Sequence, residues 1–387
     1  MQHFDLVIVG GGLAGASLAV ALRDARLKIA LVEGAPPRCP DAWDARIYAV
    51  SPANAEFLER IGVWKHLDST RIEPIRAMEV RGDRGAQLEF SAFAAGVPEL
   101  GWILESSLMA CELWENVKRQ GNVELFSPAR PESLEFRHDA ACLRLDDGRA
   151  LSARLLVAAD GRDSWVRQAA GLLADNRHYG EKGVVANFAC SKPHRGIAWQ
   201  WFGRDDVLAY LPLPGQRMSM VWSLPDAQAD ALCALAPEQL AQRVATAGGG
   251  VLGELTTITP AVGFPLRLMR VPQTVAPRLA LIGDAAHGIH PLSGHGINLG
   301  FQDAAELAAL LAKAQPWQDI GELHFLQRYQ RARREETVLM QGATDTLRRL
   351  FRSEASPVAW LRNAGMGLTD RLPVLKNALI RYALGRI

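Results

Sequence analysis

Phe4-Asp5-Leu6-Val7-Ile8-Val9-Gly10-Gly11-Gly12-Leu13-Ala14-Gly15 is the stretch whose reading decides the fold. Residues 4–9 are a short β-branched apolar run, the length and type of a strand buried on both faces of a parallel sheet. The run stops at glycine. Gly10, Gly12 and Gly15 stand in G-x-G-x-x-G spacing, and the segment from Ala14 to Arg23 is rich in Ala and Leu at helical spacing. Each glycine has its own reason: Gly10 makes the tight turn, Gly12 lets the backbone approach a pyrophosphate, and Gly15 packs helix closely on strand. The helix N-terminus, with Leu13 and Ala14 in its first turn, then faces the anion. A second strand, Lys28 to Val32, ends at Glu33, eighteen residues beyond Gly15, where a carboxylate accepts hydrogen bonds from the hydroxyls of an adenosine ribose. Strand, turn, helix and acid in this order predict a dinucleotide site. The motif alone does not choose between FAD and NAD.

Two later strand ends repeat the device. Leu155-Leu156-Val157-Ala158-Ala159 runs into Asp160-Gly161-Arg162-Asp163-Ser164-Trp165-Val166-Arg167. Leu279-Ala280-Leu281-Ile282 runs into Gly283-Asp284-Ala285-Ala286-His287, followed by His290-Pro291-Leu292-Ser293-Gly294-His295-Gly296-Ile297-Asn298 and an Ala/Leu-rich helix from about Phe301 to Lys313. Three strand ends therefore point at one cleft.

These three motifs together resemble the single-component FAD-dependent aromatic hydroxylases of the para-hydroxybenzoate hydroxylase type. The chain is more similar still to the ubiquinone-biosynthesis hydroxylases, through Asp44-Ala45-Arg46-Ile47-Tyr48-Ala49-Val50-Ser51, Gly101-Trp102-Ile103-Leu104-Glu105, and Gln200-x-Phe202 leading to Leu211-Pro212-Leu213. The resemblance runs from about residue 4 to about residue 350. It implies that Gly10, Gly12, Leu13, Ala14, Gly15 and Glu33 hold the ADP half of FAD, that Arg46 reaches the flavin or pyrophosphate, and that Asp284 bonds the ribityl chain or pyrophosphate. Asp160 and Gly161 would line the approach of a second dinucleotide, and Pro291 would belong to the flavin turn. Gly296, Ile297 and Asn298 match the turn whose backbone N–H groups face the flavin N1 and C2 carbonyl, where a positive helix end stabilises the charge of the reduced ring. The family usually reads Ala/Gly-Gly-Gln-Gly after the proline, whereas here Ser293-Gly294-His295-Gly296 stands there. His295 and Asn298 are accordingly the candidate catalytic residues, His295 because an imidazole beside a flavin can shuttle a phenol proton.

The remainder of the chain sets the context. Three cofactor segments imply a discontinuous Rossmann-like FAD-binding domain over 1–71, 101–172 and 273–340 in an α/β fold. A mixed, largely antiparallel substrate domain is expected over 72–100 and 173–272, and C-terminal helices over 341–387. Residues 76–80, 87–90, 197–202, 208–213 and 218–223 read as strands, and Ala245 to Gly250 as a loop. Trp199, Trp201, Phe202, Tyr210 and Trp222 fill a core or, as a set, wall a substrate pocket. Five scattered cysteines without a C-x-x-C argue against a disulfide framework or a zinc site and for a reducing cytosol. A net charge of +1 over 387 residues excludes a general nucleic-acid binder, yet residues 321–387 carry +6 against −5 elsewhere. That basic end is either a solvated face or a contact for an acidic membrane surface or partner protein.

The function implied is a monooxygenase that hydroxylates a phenolic or quinol ring, its substrate a polyprenylated ubiquinone precursor, through a flavin C4a-hydroperoxide. A single G-x-G-x-x-G leaves no separate nicotinamide domain, so NAD(P)H would bind transiently as reductant, or another donor would serve. Two other functions share the motifs: a flavin-dependent reductase or dehydrogenase of a polyprenyl or quinone substrate, and a non-enzymatic component of a quinone-biosynthesis complex. The expected location is cytoplasmic, at most peripheral to the inner face of a membrane.

Overall fold

The computed structural model describes residues 1–352 except 40, 83, 84, 86 and 289–295, and without the side chains of 340, 341 and 343–352. Gln2–Val9 forms the centre of a parallel sheet in the order Val123–Phe126, Ile29–Val32, Gln2–Val9, Ala150–Ala158, Leu279–Leu281. Both faces are covered, which is why Leu6 to Val9, Ile29 to Val32 and Leu155 to Ala158 read as unbroken apolar runs. On one face Leu6, Ile8, Leu31 and Val157 pack under helices Leu13–Ala21, Ser106–Lys118 and Gly296–Ala312, through Leu18, Leu113 and Phe301. On the other, Val7, Val9, Val32 and Leu156 pack against Leu143 and Leu145 of a hairpin, Pro131–Phe136 with Ala141–Leu145, and against Val166.

A second sheet runs His287–Gly288, Val262–Arg270, Asp175–Cys190, Arg217–Pro225, Val207–Leu213, Ile197–Phe202, Ala77–Arg81, Gln87–Ser91. Every neighbouring pair is antiparallel except Ile197–Phe202 with Ala77–Arg81. Its strands alternate. Val184, Ala186, Phe188, Met218, Met220 and Leu208 lie beneath helices Asp226–Cys233 and Pro237–Ala247, while Ala198 and Leu213 pack with Ile47, Ile75 and Ile103 of a small third sheet. That third sheet, Ile47–Val50, Gly101–Glu105 and Glu73–Ile75, is antiparallel throughout.

Several expectations change here. Trp199, Tyr210 and Trp222 fill the core between the second sheet and its two helices, with Trp201 packed against it, so they do not wall a pocket as a set. Phe202 alone turns the other way, onto Val80, Met78 and Phe90. Ala245 to Ala247 form the last turn of a helix, and the glycines after them end it, with Gly249 and Gly250 both at φ +65°. The strand Asp175–Cys190 begins with exposed polar residues and takes a register shift between His178 and Lys182, which hid its first half from an apolar pattern. Cys39 and Cys111 form a disulfide, with Cα atoms 5.4 Å apart. The argument from scattered cysteines fails at that pair because helix Ser106–Lys118 brings together residues 72 positions apart. Among the described residues no group of acidic, His or Cys side chains is arranged to hold a metal, and no helix is long and apolar enough to cross a membrane. Pro291 and His295, and all of 353–387, lie outside the described residues.

Candidate cofactor site

The glycine-rich turn shows three glycines under three different constraints. Gly10 has φ +105°, and a Cβ there would collide with the backbone at Ala159 and Asp160. A Cβ on Gly15 would fall on the carbonyl oxygen of Gly10, so the helix can approach the strand only without a side chain. Gly12 differs: it caps the helix with ordinary φ −68° and ψ −173°, and a Cβ would meet nothing else within 4 Å among the described residues. The protein's own packing therefore does not demand glycine at position 12. What the absent side chain leaves is open space beside the N–H groups of the first helical turn, where Leu13 and Ala14 lie, and no acidic residue occupies that turn.

Glu33 braces this turn from the end of the second strand. Its Oε2 accepts the Gly11 N–H at 2.6 Å and its Oε1 accepts the Ala35 N–H at 2.9 Å. A carboxylate offers about four lone-pair sites, so acceptor capacity remains for a ribose hydroxyl.

The two other strand ends meet this one. Gly283, at φ +58°, starts the turn Gly283–Ala285; a Cβ there would stand 3.0 Å from the Ala14 methyl and 3.8 Å from the Gly300 Cα. The turn is thus wedged between the two helices and presents Asp284 as an exposed carboxylate. Asp160 accepts the Val166 N–H through Oδ2 at 3.0 Å, while its Oδ1 is buried without a hydrogen-bond partner among the described residues. Gly161 follows at φ +83° with open space at its Cβ position. Buried Arg167 ties the two turns together, donating to the carbonyls of Ala285 and Arg162, each at 2.9 Å.

Helix Gly296–Ala312 contains Gly296, Ile297 and Asn298 as its first described turn. The Asn298 side chain is buried: Oδ1 accepts the Ser51 N–H and Asn54 Nδ2, each at 2.9 Å, and Nδ2 donates to the Ala49 carbonyl at 2.8 Å. It anchors the segment that carries Arg46 and Tyr48 to the helix start. Arg46 is exposed. Burial raises the Tyr48 phenol above its ordinary value, with the Asp284 and Asp44 carboxylates adding to the shift and Arg46 opposing it. The preceding loop is held by Glu105, fully buried, which takes Arg71 on both oxygens at 2.7 Å and the Asp44 N–H at 2.6 Å. Asn187 reaches from the second sheet to the Asp44 carbonyl at 2.9 Å.

A model of the FAD binding domain family matches residues 3–341. The chain belongs to that family. It is 35% identical to the ubiquinone hydroxylase UbiL of Rhodospirillum rubrum, over 99% of this chain and 90% of that protein. It is 32% identical to the 3-demethoxyubiquinol 3-hydroxylase of Escherichia coli, over 99% of both. In structure it is similar to the p-nitrophenol 4-monooxygenase PnpA of Pseudomonas putida, with a TM-score of 0.80, 20% identity and 99% of each chain covered. The protein is an FAD-dependent flavoprotein, and its residues fit the cofactor: an open cradle at Gly12, an orphaned oxygen on Asp160, and two helix starts with acid-free first turns.

Other residues of the site escaped sequence reasoning. Nothing in the sequence around Glu105, His287 or Arg333 signals the contacts they make. The one local signal was Asp303, a lone acid in an otherwise apolar helix face.

Proposed function

We propose that this flavoprotein is a monooxygenase that hydroxylates the phenolic or quinol ring of a polyprenylated ubiquinone precursor. The observation that carries the reading is the end-to-end similarity to a ubiquinone hydroxylase and to a 3-demethoxyubiquinol 3-hydroxylase. When bound, FAD takes two electrons from NAD(P)H and delivers them to molecular oxygen, one atom entering the ring as hydroxyl and the other leaving as water. This chain's own residues do the rest. Gly10, Gly12, Leu13, Ala14 and Gly15 receive the pyrophosphate; Glu33 takes the ribose; Asp284 and Arg46 flank the remainder of the cofactor, with Asp160 and Gly161 at the approach. The backbone N–H groups of Ile297 and Asn298 supply fixed positive charge at a helix start. The Asn298 side chain, engaged with Ser51, Asn54 and Ala49, serves by position, and His295 is the residue we assign to the phenol proton.

The cofactor domain comprises 1–71, 101–172 and 273–340, and the second sheet with 72–100 and 173–272 forms the roof. Its Ala198, Leu211 and Leu213 face is apolar, as exclusion of water requires. Asn187 Oδ1 and Ser219 Oγ sit opposite one another on neighbouring strands of that sheet, buried without hydrogen-bond partners among the described residues, and offer a phenol or quinol oxygen an acceptor and a donor. The helix Leu323–Arg352 exposes Arg328, Arg331 and Arg334 beside Val338 and Leu339, 60% and 56% exposed, and we assign this face to an anionic membrane surface where a prenylated substrate resides.

The test is product analysis by mass spectrometry after turnover with a prenylated phenol, NAD(P)H and labelled oxygen. One labelled hydroxyl per product, with NAD(P)H oxidation dependent on oxygen, is expected. Substrate reduction without label incorporation would replace the reading by that of a reductase.

A further inference from the structure

A cluster of buried charges joins helix Gly296–Ala312 to the helix Leu323–Arg352. Asp303, 1% exposed, lies on helix Gly296–Ala312. Its Oδ2 accepts the Gly283 N–H at 2.9 Å and meets His287 Nε2 at 2.6 Å; its Oδ1 accepts Arg333 Nε at 2.7 Å. Arg333 comes from the long helix Leu323–Arg352 and also donates to Gln302 Oε1 at 3.1 Å and pairs with Glu336. Tyr329, one turn earlier on that helix, donates its hydroxyl to the Leu281 carbonyl at 3.0 Å. Burial by itself would push Asp303 up, but the charges and hydrogen bonds of His287 and Arg333 hold it below its ordinary value.

A buried ion cluster is a poor device for stability, since apolar residues of equal volume often do as well, and its best attested use is to fix one arrangement. The arrangement fixed here is that of Gly283. Its N–H is bonded to Asp303 while its backbone, in the left-handed region, is pressed against Ala14 and Gly300. The next residue is Asp284, and the strand His287–Gly288 immediately beyond joins the edge of the second sheet through Met269 and Arg270. Removing Arg333 leaves a buried carboxylate that attracts its remaining partners differently, and the first of these is the Gly283 N–H.

We propose that Arg333, Asp303 and His287 are positioning residues for the turn Gly283–Ala285, so that the long C-terminal helix sets the geometry in which that turn holds FAD. The proposal rests on the reading that Asp284 contacts the cofactor, and the experiment separates the two. Arg333→Met, which keeps an unbranched apolar stem and removes the donors, is compared with Arg333→Lys, His287→Gln and Asp284→Asn. Leu326→Ala serves as a control on the same helix, because Leu326 is buried but belongs to the apolar cluster. For each variant, FAD affinity is measured by fluorescence titration of the apoprotein, alongside the visible circular dichroism of the bound flavin and the melting temperature of the apoprotein.

Arg333→Met is expected to weaken FAD binding by about tenfold to a hundredfold, the loss typical of one charge-assisted contact. It should also change the flavin dichroism, Arg333→Lys should restore part of both, and His287→Gln should move the dichroism in the same direction. Leu326→Ala should lower the melting temperature without altering affinity or dichroism. Unchanged affinity and dichroism in Arg333→Met, or an equal loss in Leu326→Ala at matched stability, would overturn the positioning role. If Asp284→Asn binds FAD as the parent does, the reading of Asp284 fails and the proposal falls with it. If Asp284→Asn weakens binding and Arg333→Met does not, only the positioning role is refuted.

Discussion

Replacing Gly12 by valine isolates the cofactor from the fold. At most glycines of a tight turn a side chain breaks the backbone, and Gly10 and Gly15 follow that pattern, because a Cβ at either would collide with backbone atoms. Gly12 is free of it: φ is −68°, ψ is −173°, and among the described residues none beyond its chain neighbours and its own helix backbone comes within 4 Å of the Cβ position. Two small effects on the apoprotein oppose each other. Valine is a poorer helix cap than glycine, at a cost of up to about 1 kcal/mol, and the stiffer residue lowers the entropy of the unfolded chain by about 0.4–1 kcal/mol. Apoprotein stability should therefore stay within about 1 kcal/mol of the parent. The isopropyl group, however, would stand where the pyrophosphate approaches the N–H groups of Leu13 and Ala14. Loss of two charge-assisted hydrogen bonds, at about 1.5–3 kcal/mol each, predicts a hundredfold to ten-thousandfold weaker FAD affinity. Urea denaturation of the apoprotein with fluorescence titration of FAD measures both quantities. A folded Gly12→Val protein with parental affinity would refute the placement of the pyrophosphate, and Gly15→Ala should in contrast lose stability and cofactor together.

Three further outcomes follow from the described geometry. Glu33→Ala removes both a ribose acceptor and the brace on Gly11, so FAD affinity should fall by a factor corresponding to about 1.5–3 kcal/mol and apoprotein melting should drop as well; an unchanged melting temperature would show that the Gly11 contact is dispensable. Cys111→Ser opens a loop of 72 residues, and the loss of loop-closure constraint amounts to at most about 4 kcal/mol, read as a lower urea midpoint that reductant reproduces in the parent. Burial would depress His287, but the charge of Asp303, their hydrogen bond and nearby Asp284 outweigh that and the opposing charge of Arg333, raising it above 6.5. A raised histidine contributes stability in full below its unfolded value and loses it as pH rises through the folded value, while depressed Asp303 contributes above 3.8 and loses its share in acid. The parent should thus melt highest between about pH 4 and 6.5, and His287→Gln should flatten the alkaline decline.

The fold was legible where a strand is buried on both faces and ends in glycine. Leu6 to Val9, Leu155 to Ala159 and Leu279 to Ile282 give unbroken apolar runs because helices cover one side of the parallel sheet and a hairpin the other. The second sheet was legible only in part, since Asp175–Cys190 starts in solvent and its continuous buried stretch begins only at Gly183. The cofactor glycines could be read because each obeys a backbone rule that leaves a spacing behind. The supporting charges could not: Glu105 with Arg71, Arg167 with the Ala285 carbonyl, and Asp303 with Arg333 join residues from 30 to 118 positions apart. Only the topology brings them together, just as it brings Cys39 to Cys111.

That disulfide has a consequence for how the molecule comes apart. The covalent ring it closes contains all of the small third sheet and the two outermost strands of the second, Ala77–Arg81 and Gln87–Ser91. A protease that cuts once anywhere between the two cysteines releases no fragment, because both new ends stay fastened to the same body. The nick shows as two bands on a gel only after reduction, and the strands on either side of the cut keep their neighbours within reach for re-pairing.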